Sequence, residues 1–301
     1  MSDSDHIKLE DYKDLHQPKG GAGGKGCLWS HESKYKDGHR CSYRWQAYEH
    51  AKEDKHLYNY PAYKSLCVDH KPSRRDSFPT AAYAGPKKRV PTDTYAMWNT
   101  FSDHGAPSIS QPMKKKPRPG MWNLEYPGNF TGDFDKPYWH NAHHIIPRSV
   151  LQDELKEADK DDPRISPMIA QGLLRAEYNL NDKLNMVILP MDRAVAEALN
   201  LPRHLLGHQA KVGEDLFGTR EETDHPNYSR RIRLMLRPVM NQYRAIMAAK
   251  LKEDHPGPPD ALAREQLEQV SRTIYKAIVT AGKFMKGKSL DELKFGGVGG
   301  R

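Results

Sequence analysis

The sequence lacks a long apolar run. Nowhere in its 301 residues do about 18 apolar side chains follow one another, so we predict no membrane-spanning segment. The first residues, Met1 to His6, are polar and acidic, which excludes the apolar core of a standard secretory signal. We therefore expect the protein to begin in the cytoplasm of the cell that makes it. If it is exported, we expect it to leave without a cleaved signal peptide.

Cysteine is scarce as well. Cys27, Cys41 and Cys67 are an odd number, which argues against a closed set of disulfide bonds. With His70 they could instead form a Cys3His zinc site, because thiolates and imidazoles both suit zinc and His70 lies three residues after Cys67. Reduced thiols are the alternative.

Acidic side chains are outnumbered by basic ones. The chain has 47 Lys and Arg against 39 Asp and Glu, which gives a net charge of +8. Such an excess favours a polyanionic partner, because phosphates release counterions when basic side chains bind them. A basic protein that is merely soluble would show the same balance. The glycine-rich stretch at 19–26 lacks the Gly-Lys-Ser/Thr ending of a P-loop, so we interpret it as a flexible turn.

Composition divides the chain into four regions. Residues 1–105 are weakly periodic, and we expect an irregular region there that serves delivery or partner binding. Prolines and lysines mark residues 106–137 as a linker. Residues 138–285 are predicted to form an α+β domain with helices at its end, before a flexible tail at 286–301. The predicted strands are His143–Ile146 and Met186–Leu189, and the predicted helices are Tyr43–Lys55, Ser149–Ala158, Ile165–Ala176, Asp192–Leu199, Asn227–Lys252 with a kink at Pro238, and Asp260–Ala281 with Asp260 as its N-cap.

The adjacent pair His143 and His144 is the sharpest chemical feature of the sequence. It precedes a short β-branched run that stops at Pro147. Imidazole can bind a metal ion or take up a proton near neutral pH, so two adjacent rings can divide these tasks. An ordinary half-buried strand is the alternative. Further histidines follow at His204, His208 and His225. The first two of these are four residues apart, so they would share one face of a helix, or they are plain surface residues.

Four strings in this region together resemble a known family. They are Ala142-His143-His144-Ile145-Ile146-Pro147, Asn185-Met186-Val187-Ile188-Leu189-Pro190, Leu201-Pro202-Arg203-His204-Leu205-Leu206-Gly207-His208 and His225-Pro226-Asn227-Tyr228. Over residues 138–240 the chain resembles the AHH family of the HNH, or ββα-metal, nuclease superfamily, which is common among the toxin domains of polymorphic-toxin and type VI secretion effectors. In that family the two downstream histidine signatures overlap, whereas here the stretch Gln209 to Asp224 separates them.

The resemblance implies an α+β fold with an endonuclease VII-like ββα-metal core, and it implies roles for single residues. His143 would be a metal ligand and His144 the general base that activates water, while Asn185 would hold the loop between the strands. Asn185 could alternatively cap a turn. One divalent ion (Mg, Mn, Zn or Ni) would be bound. Its far side would be completed by His208 or His225, with His204 as a further candidate.

The resemblance also implies a setting. The expected reaction is hydrolysis of DNA by an antibacterial toxin that a secretion apparatus carries out of the producer. The toxin would act in the cytoplasm of the target cell, and a cognate immunity protein would neutralise it at home. Arg148, Arg230 and Arg231 are candidate phosphate contacts, or part of a solvated face. An RNase toxin with the same site is one alternative, and a non-catalytic nucleic-acid-binding or adaptor protein with a structural metal is another.

Overall fold

A computed structural model describes residues 25–29, 35–59, 61, 122–130, 138, 140–190, 193–204, 226–253, 257, 259–285 and 287–293. In chain order, the elements within these residues are α1 (Tyr43–Asp54), β1 (His140–His144), α2 (Arg148–Ala158), α3 (Ile165–Arg175), β2 (Met186–Pro190), α4 (Arg193–Leu199), α5 (Pro226–Lys250) and α6 (Arg264–Phe284). Short 3-10 turns occur at Pro127–Asn129, Lys183–Asn185 and Leu290–Glu292.

The two strands form a small antiparallel sheet. His140 lies opposite Pro190 and His144 lies opposite Met186. Helices surround this sheet, which confirms the predicted α+β class. All five residues of β2 are buried, so β2 reads as a continuous apolar run, Met186-Val187-Ile188-Leu189-Pro190, instead of an alternating one.

The two faces of the sheet meet different hydrophobic cores, because successive strand residues project to opposite sides. The aromatic core includes Trp45, Tyr48, Trp122, Phe130, Tyr138, Ala142, Met186 and Ile188. The helical core includes Leu28, Leu151, Ile169, Leu173, Val187, Leu189, Tyr228, Leu236 and Ile274. The sheet is thus buried on both sides, with aromatic side chains on one and aliphatic helices on the other.

The prediction that β1 runs from His143 to Ile146 was wrong in its bounds. The strand covers His140–His144, because the backbone changes its partner directly afterwards. The Ile145 N–H donates to the Asn185 carbonyl (2.8 Å), and the Ile146 N–H donates to the Asn185 side-chain oxygen Oδ1 (2.8 Å). Hydrogen bonds to Asn185 therefore end the pairing of β1 with β2, although the sequence stays apolar through Ile145 and Ile146.

The start of α6 also differs from the prediction. Asp260 is not its N-cap, since the helix begins at Arg264 after Ala263. The preceding backbone is held by α3 instead, because the Leu262 N–H donates to the Gly172 carbonyl (3.1 Å). Pro238 lies inside α5, and the expected kink there stays a prediction.

Helix α1 belongs to the same packed body as the sheet. It begins after Ser42, whose hydroxyl accepts the Trp45 N–H (3.3 Å), and it packs against both strands. At the other end of the chain, Leu290 and Leu293 are buried in the helical core. The predicted boundaries at 105, 137 and 285 stay predictions. Among the helices that the structure describes, none has both the length and the apolar character needed to span a bilayer.

Candidate active site

His143 projects toward the helical side of the sheet. Its side chain is fully buried, and its ring centroid lies 4.9 Å from that of His204 and 5.2 Å from that of Tyr228. His204 comes to this place because its N–H donates to the carbonyl of Pro190, at the end of β2 (2.9 Å). The side chain of Asn141 lies 3.5 Å from Nδ1 of His204. Two imidazoles that are far apart in sequence therefore meet beside β1.

Tyr228 fixes the start of α5 next to this pair. Its hydroxyl donates to the carbonyl of Ile145 (2.6 Å), and its backbone N–H donates to the carboxylate of Asp291 (2.9 Å). Burial raises the pKa of the Tyr228 phenol well above its ordinary value, so the hydroxyl stays a donor. The helix that follows the predicted metal-site strings is thereby attached to the loop after His144.

His144 has a different set of neighbours. Its Nε2 lies 2.9 Å from Oδ1 of Asn181, and its ring centroid is 5.3 Å from that of Tyr43 on α1. The amide Nδ2 of Asn181 donates to the carbonyl of Trp29 (2.7 Å). Since a carbonyl can only accept, the orientation of the amide is fixed, and Oδ1 must accept a hydrogen bond from the Nε2–H of His144. The neutral ring therefore carries its proton on Nε2, and Nδ1 is the basic nitrogen.

Asn185 ties the loop after β1 to two other segments. Its Oδ1 accepts the Ile146 N–H and also the Ser271 hydroxyl of α6 (2.9 Å). Its Nδ2 donates to the carbonyls of Ile146 (3.2 Å) and Leu180 (2.8 Å). The side chain is buried, so each of these bonds replaces one to water. Asn185 therefore holds the backbone directly after His144, and the role that the resemblance implies for it in the nuclease site stays a prediction.

Most of the residues that form this arrangement match a known protein family. Residues 125–271, just under half of the chain, match the AHH family, a nuclease family of the HNH/ENDO VII superfamily with conserved AHH. The match includes both strands and the string Ala142-His143-His144. This region is an AHH nuclease domain. The resemblance drawn from the sequence is therefore confirmed, and so is a nuclease as the enzyme class. No curated protein and no solved structure matches the chain.

The candidate phosphate contacts of the AHH domain lie on two helices. Arg148 is the first residue of α2, and its guanidinium carbon lies 5.0 Å from the centre of the Trp29 ring. On α5, Arg230 is exposed and donates to the side chain of Asn227 (2.6 Å), while Arg231 is half-buried. Their contact with nucleic acid stays a prediction.

Some predicted site residues lie outside the described residues. They are His208, His225, Cys67 and His70. Cys27 and Cys41 are both buried, but the proposed Cys3His zinc site stays a prediction without its other two members. His204, which was only a further candidate from the sequence, is the histidine that the structure brings beside His143.

The donors beside β1 suit a divalent ion in part. His143 and His204 offer two imidazoles, which bind zinc and nickel more readily than magnesium. In the part of the chain that the structure describes, no group of three or more His, Cys, Asp or Glu side chains could hold a metal ion. A complete site would thus need a further ligand from elsewhere, and the sequence suggests His208 or His225.

Sequence reasoning missed Asn181 and Trp29. Asn181 is fully buried between His144 and the segment at 25–29, yet in the sequence it is one of three asparagines within seven residues. Trp29 contributes through its backbone carbonyl, which no side-chain pattern reports. Tyr228 belonged to the recognised string His225-Pro226-Asn227-Tyr228, but that string gave it no role.

Proposed function

We propose that the AHH nuclease domain hydrolyses phosphodiester bonds of DNA with the help of a divalent metal ion, and that the protein is an antibacterial toxin. The observation that carries the catalytic part is the separation of the two adjacent histidines. His143 lies beside a second imidazole, that of His204, whereas His144 is held through one ring nitrogen by an amide. One environment suits a metal ligand and the other suits an oriented base.

His144 acts as the general base in this proposal. Because Oδ1 of Asn181 accepts the hydrogen bond from Nε2–H, Nδ1 can take a proton from water. The water oxygen then forms a bond to phosphorus, the bond from phosphorus to the leaving oxygen breaks, and that oxygen takes a proton from solvent water. Asn185 keeps the backbone beyond His144 in place during this step. General-base help of this kind contributes about 10²–10⁴-fold to the rate.

His143 and His204 are the described residues that would hold the metal ion, and His208 or His225 is proposed to complete its coordination. When bound, a divalent cation supplies positive charge that stabilises the phosphate and the leaving oxygen as negative charge develops. The ring of Tyr228 packs against His143 and limits the directions in which that imidazole can turn. The net charge of +8 favours the approach of a polyanion, with Arg148, Arg230 and Arg231 as the proposed phosphate contacts.

The toxin setting rests on the family to which the domain belongs. We propose that a secretion apparatus exports the protein from the cytoplasm of the producer without a cleaved signal peptide. The nuclease then acts in the cytoplasm of the target cell, and a cognate immunity protein protects the producer. Growth arrest of a bacterium that expresses the wild type, but not of one that expresses His144→Gln, would support this setting.

Purified protein incubated with supercoiled plasmid tests the enzymatic part. The incubations contain Mg²⁺, Mn²⁺, Zn²⁺ or Ni²⁺ in turn, each with and without EDTA, and a parallel set contains RNA. We expect plasmid cleavage that EDTA abolishes and that His144→Gln lowers by about 10²–10⁴-fold. His39→Gln, a half-buried histidine outside the site, is the matched control. Intact plasmid with all four ions would overturn the DNase proposal, and degradation of RNA alone would replace it with an RNase.

A further inference from the structure

We propose that the segment at residues 25–29, outside the residues matched by the AHH family, is a positioning element of the active site. It fixes the orientation of His144 through Asn181, and it supports Arg148 through the ring of Trp29. The inference rests on the proposed function for the catalytic role of His144. The geometry behind it does not depend on that role, because it concerns which ring nitrogen carries the proton.

The segment is inserted into the domain through its backbone. The Cys27 N–H donates to the carbonyl of Tyr178 (2.8 Å), and the Leu180 N–H donates to the carbonyl of Cys27 (2.7 Å). These two bonds form a parallel bridge to the strand-like stretch that leads to Asn181. Leu28 is 5% exposed and belongs to the helical core, so the segment is anchored from both its backbone and its side chains.

Gly26 shows how closely the segment fits. A Cβ atom at this position would lie 2.8 Å from the carbonyl oxygen of Leu174 and 2.9 Å from its Cα, at the end of α3. Both neighbours are backbone atoms, which cannot move aside as the end of a side chain can. Only glycine therefore allows residues 25–29 to lie at this depth.

The contact with the site passes through one amide. Asn181 donates to the Trp29 carbonyl (2.7 Å) and accepts from Nε2 of His144 (2.9 Å), while its own N–H donates to Oδ1 of Asn179 (2.9 Å). If the carbonyl of Trp29 moved away, the amide could rotate and present its NH₂ group to His144. The imidazole would then have to accept on Nε2 and protonate Nδ1, which is the nitrogen that the proposed reaction needs as a base.

The same segment supports the candidate phosphate contact. The Arg148 guanidinium carbon lies 5.0 Å from the centre of the Trp29 ring, a cation–π distance. Arg148 opens α2 four residues after His144, so one tryptophan serves both side chains: its carbonyl through Asn181 and its ring directly. Residues 25–29 thus orient the proposed base, His144, and also support its cationic neighbour Arg148.

The experiment compares four substitutions in the full chain. Asn181→Leu removes the acceptor, Asn181→Asp keeps an acceptor for His144 but loses the donor to Trp29, and Gly26→Ala displaces the segment. Gly257→Ala is the matched control, since a Cβ there meets no atom of the described residues within 4 Å. The first measurement is the imidazole ¹⁵N spectrum of metal-free protein above pH 7, with the His144 signals assigned by their loss in His144→Gln. The second measurement is plasmid cleavage.

We expect the wild type, Asn181→Asp and Gly257→Ala to show His144 with its proton on Nε2. Asn181→Leu and Gly26→Ala should show a mixture of both ring forms and cleave plasmid about 10- to 100-fold more slowly, the usual cost of losing a side chain that orients a reacting group. Asn181→Asp should recover part of the rate. A merely structural role would lower the melting temperature without changing the ring form.

The inference is overturned if folded Asn181→Leu keeps the Nε2 proton and the wild-type rate. If that variant does not fold, an unchanged ring form in folded Gly26→Ala overturns it instead. Should the wild type cleave no nucleic acid at all, the proposed function fails, but the ¹⁵N spectra of the same four variants still decide whether residues 25–29 fix the imidazole of His144.

Discussion

The two sides of the small sheet differ in composition and in origin. The side that receives His143 is aliphatic and is built mainly from α2, α3, α5 and α6. The side that receives Ala142 and Ile188 is aromatic, and α1 supplies a large part of it through Trp45 and Tyr48. The first side lies largely within the matched residues 125–271, whereas α1 lies outside them.

This difference separates two neighbouring residues. His143 contacts partners within the matched region, His204 and Tyr228. His144 contacts Tyr43 of α1, and its hydrogen-bonding partner Asn181 depends on Trp29. A metal ligand needs other ligands around it, whereas a base needs one fixed nitrogen. The contacts that suit His143 to bind a metal ion and those that orient His144 as a base therefore come from different parts of the chain.

The largest effect is expected when the two histidines are compared directly. His143→Gln and His144→Gln should each lower plasmid cleavage by about 10²–10⁴-fold. Only His143→Gln should also abolish the rise in melting temperature that Ni²⁺ or Zn²⁺ gives the wild type, because a ligand stabilises only a folded state that binds it. A lost metal response in His144→Gln, with a normal one in His143→Gln, would reverse the two assignments.

Asn185 ties the loop after β1 to Leu180 and to α6, so its loss should be costly to stability. Asn185→Ala leaves the buried Ile146 N–H and the Leu180 carbonyl without their partner, and we expect unfolding in urea to require about 3 kcal/mol less. Ser271→Ala removes one of the hydrogen bonds to Asn185 and should cost about 1 kcal/mol. Equal costs for the two variants would show that Asn185 is not the point of attachment.

Gly282 tests the turn that positions His204. A Cβ there would lie 2.3 Å from the carbonyl oxygen of Asn200, in the turn that leads to His204. Gly282→Ala should cost about 2 to 3 kcal/mol by overpacking, and it should weaken the melting response to Ni²⁺ while the His144 ring form stays unchanged. Gly128→Ala, with no atom within 4 Å of its Cβ, is the control. A normal metal response in folded Gly282→Ala would contradict this prediction.

His140 should make the aromatic side sensitive to acid. Its Nδ1 donates to the Tyr138 carbonyl (2.9 Å), so in the neutral ring Nε2 accepts from the Tyr35 hydroxyl (3.0 Å). Burial, together with a smaller effect of the charge of Arg44, lowers the pKa of His140 to about 4. The unfolded chain, with an ordinary histidine pKa of about 6.5, therefore binds more protons than the folded one between these values, and stability falls as the pH drops from about 6.5 toward 4.

The size of this loss follows from the two pKa values. Between pH 8 and pH 5 the wild type should lose about 2 kcal/mol of unfolding free energy through His140. His140→Gln keeps a donor and an acceptor but does not titrate there, so the same pH change should cost it less by that amount. Urea unfolding at both pH values measures the difference, and parallel pH profiles of the two proteins would exclude His140 as the cause.

Arg230 should give the smallest effect. In a His144→Gln background that does not cleave, Arg230→Gln should weaken DNA binding several-fold and reduce the slope of log K against log salt by about one. Arg164→Gln is the control of equal charge change, because Arg164 is exposed and already paired with Asp162 (2.7 Å). Identical salt slopes for both variants would remove Arg230 from the contacts to phosphate.

Periodicity predicted the elements well where a segment is long and packs on one face. Helices α1, α2 and α3 lie within one residue of their predicted bounds, and each buries residues that lie three or four positions apart. Periodicity failed to predict the ends of elements where residues distant in sequence determine where the element stops or starts. The end of β1 depends on Asn185, and the start of α6 depends on the carbonyl of Gly172.

The sequence by itself determined the family, the α+β class and the adjacent histidines, because a short string of chemically specific residues can be recognised before the fold is known. Only the tertiary structure decided that His204 is the imidazole beside His143 and that Asn181 holds His144. Both facts join residues that are dozens of positions apart, and one depends on a backbone carbonyl, that of Trp29. Contacts between residues so far apart in the chain are made by tertiary packing, and local periodicity does not report which distant residues meet.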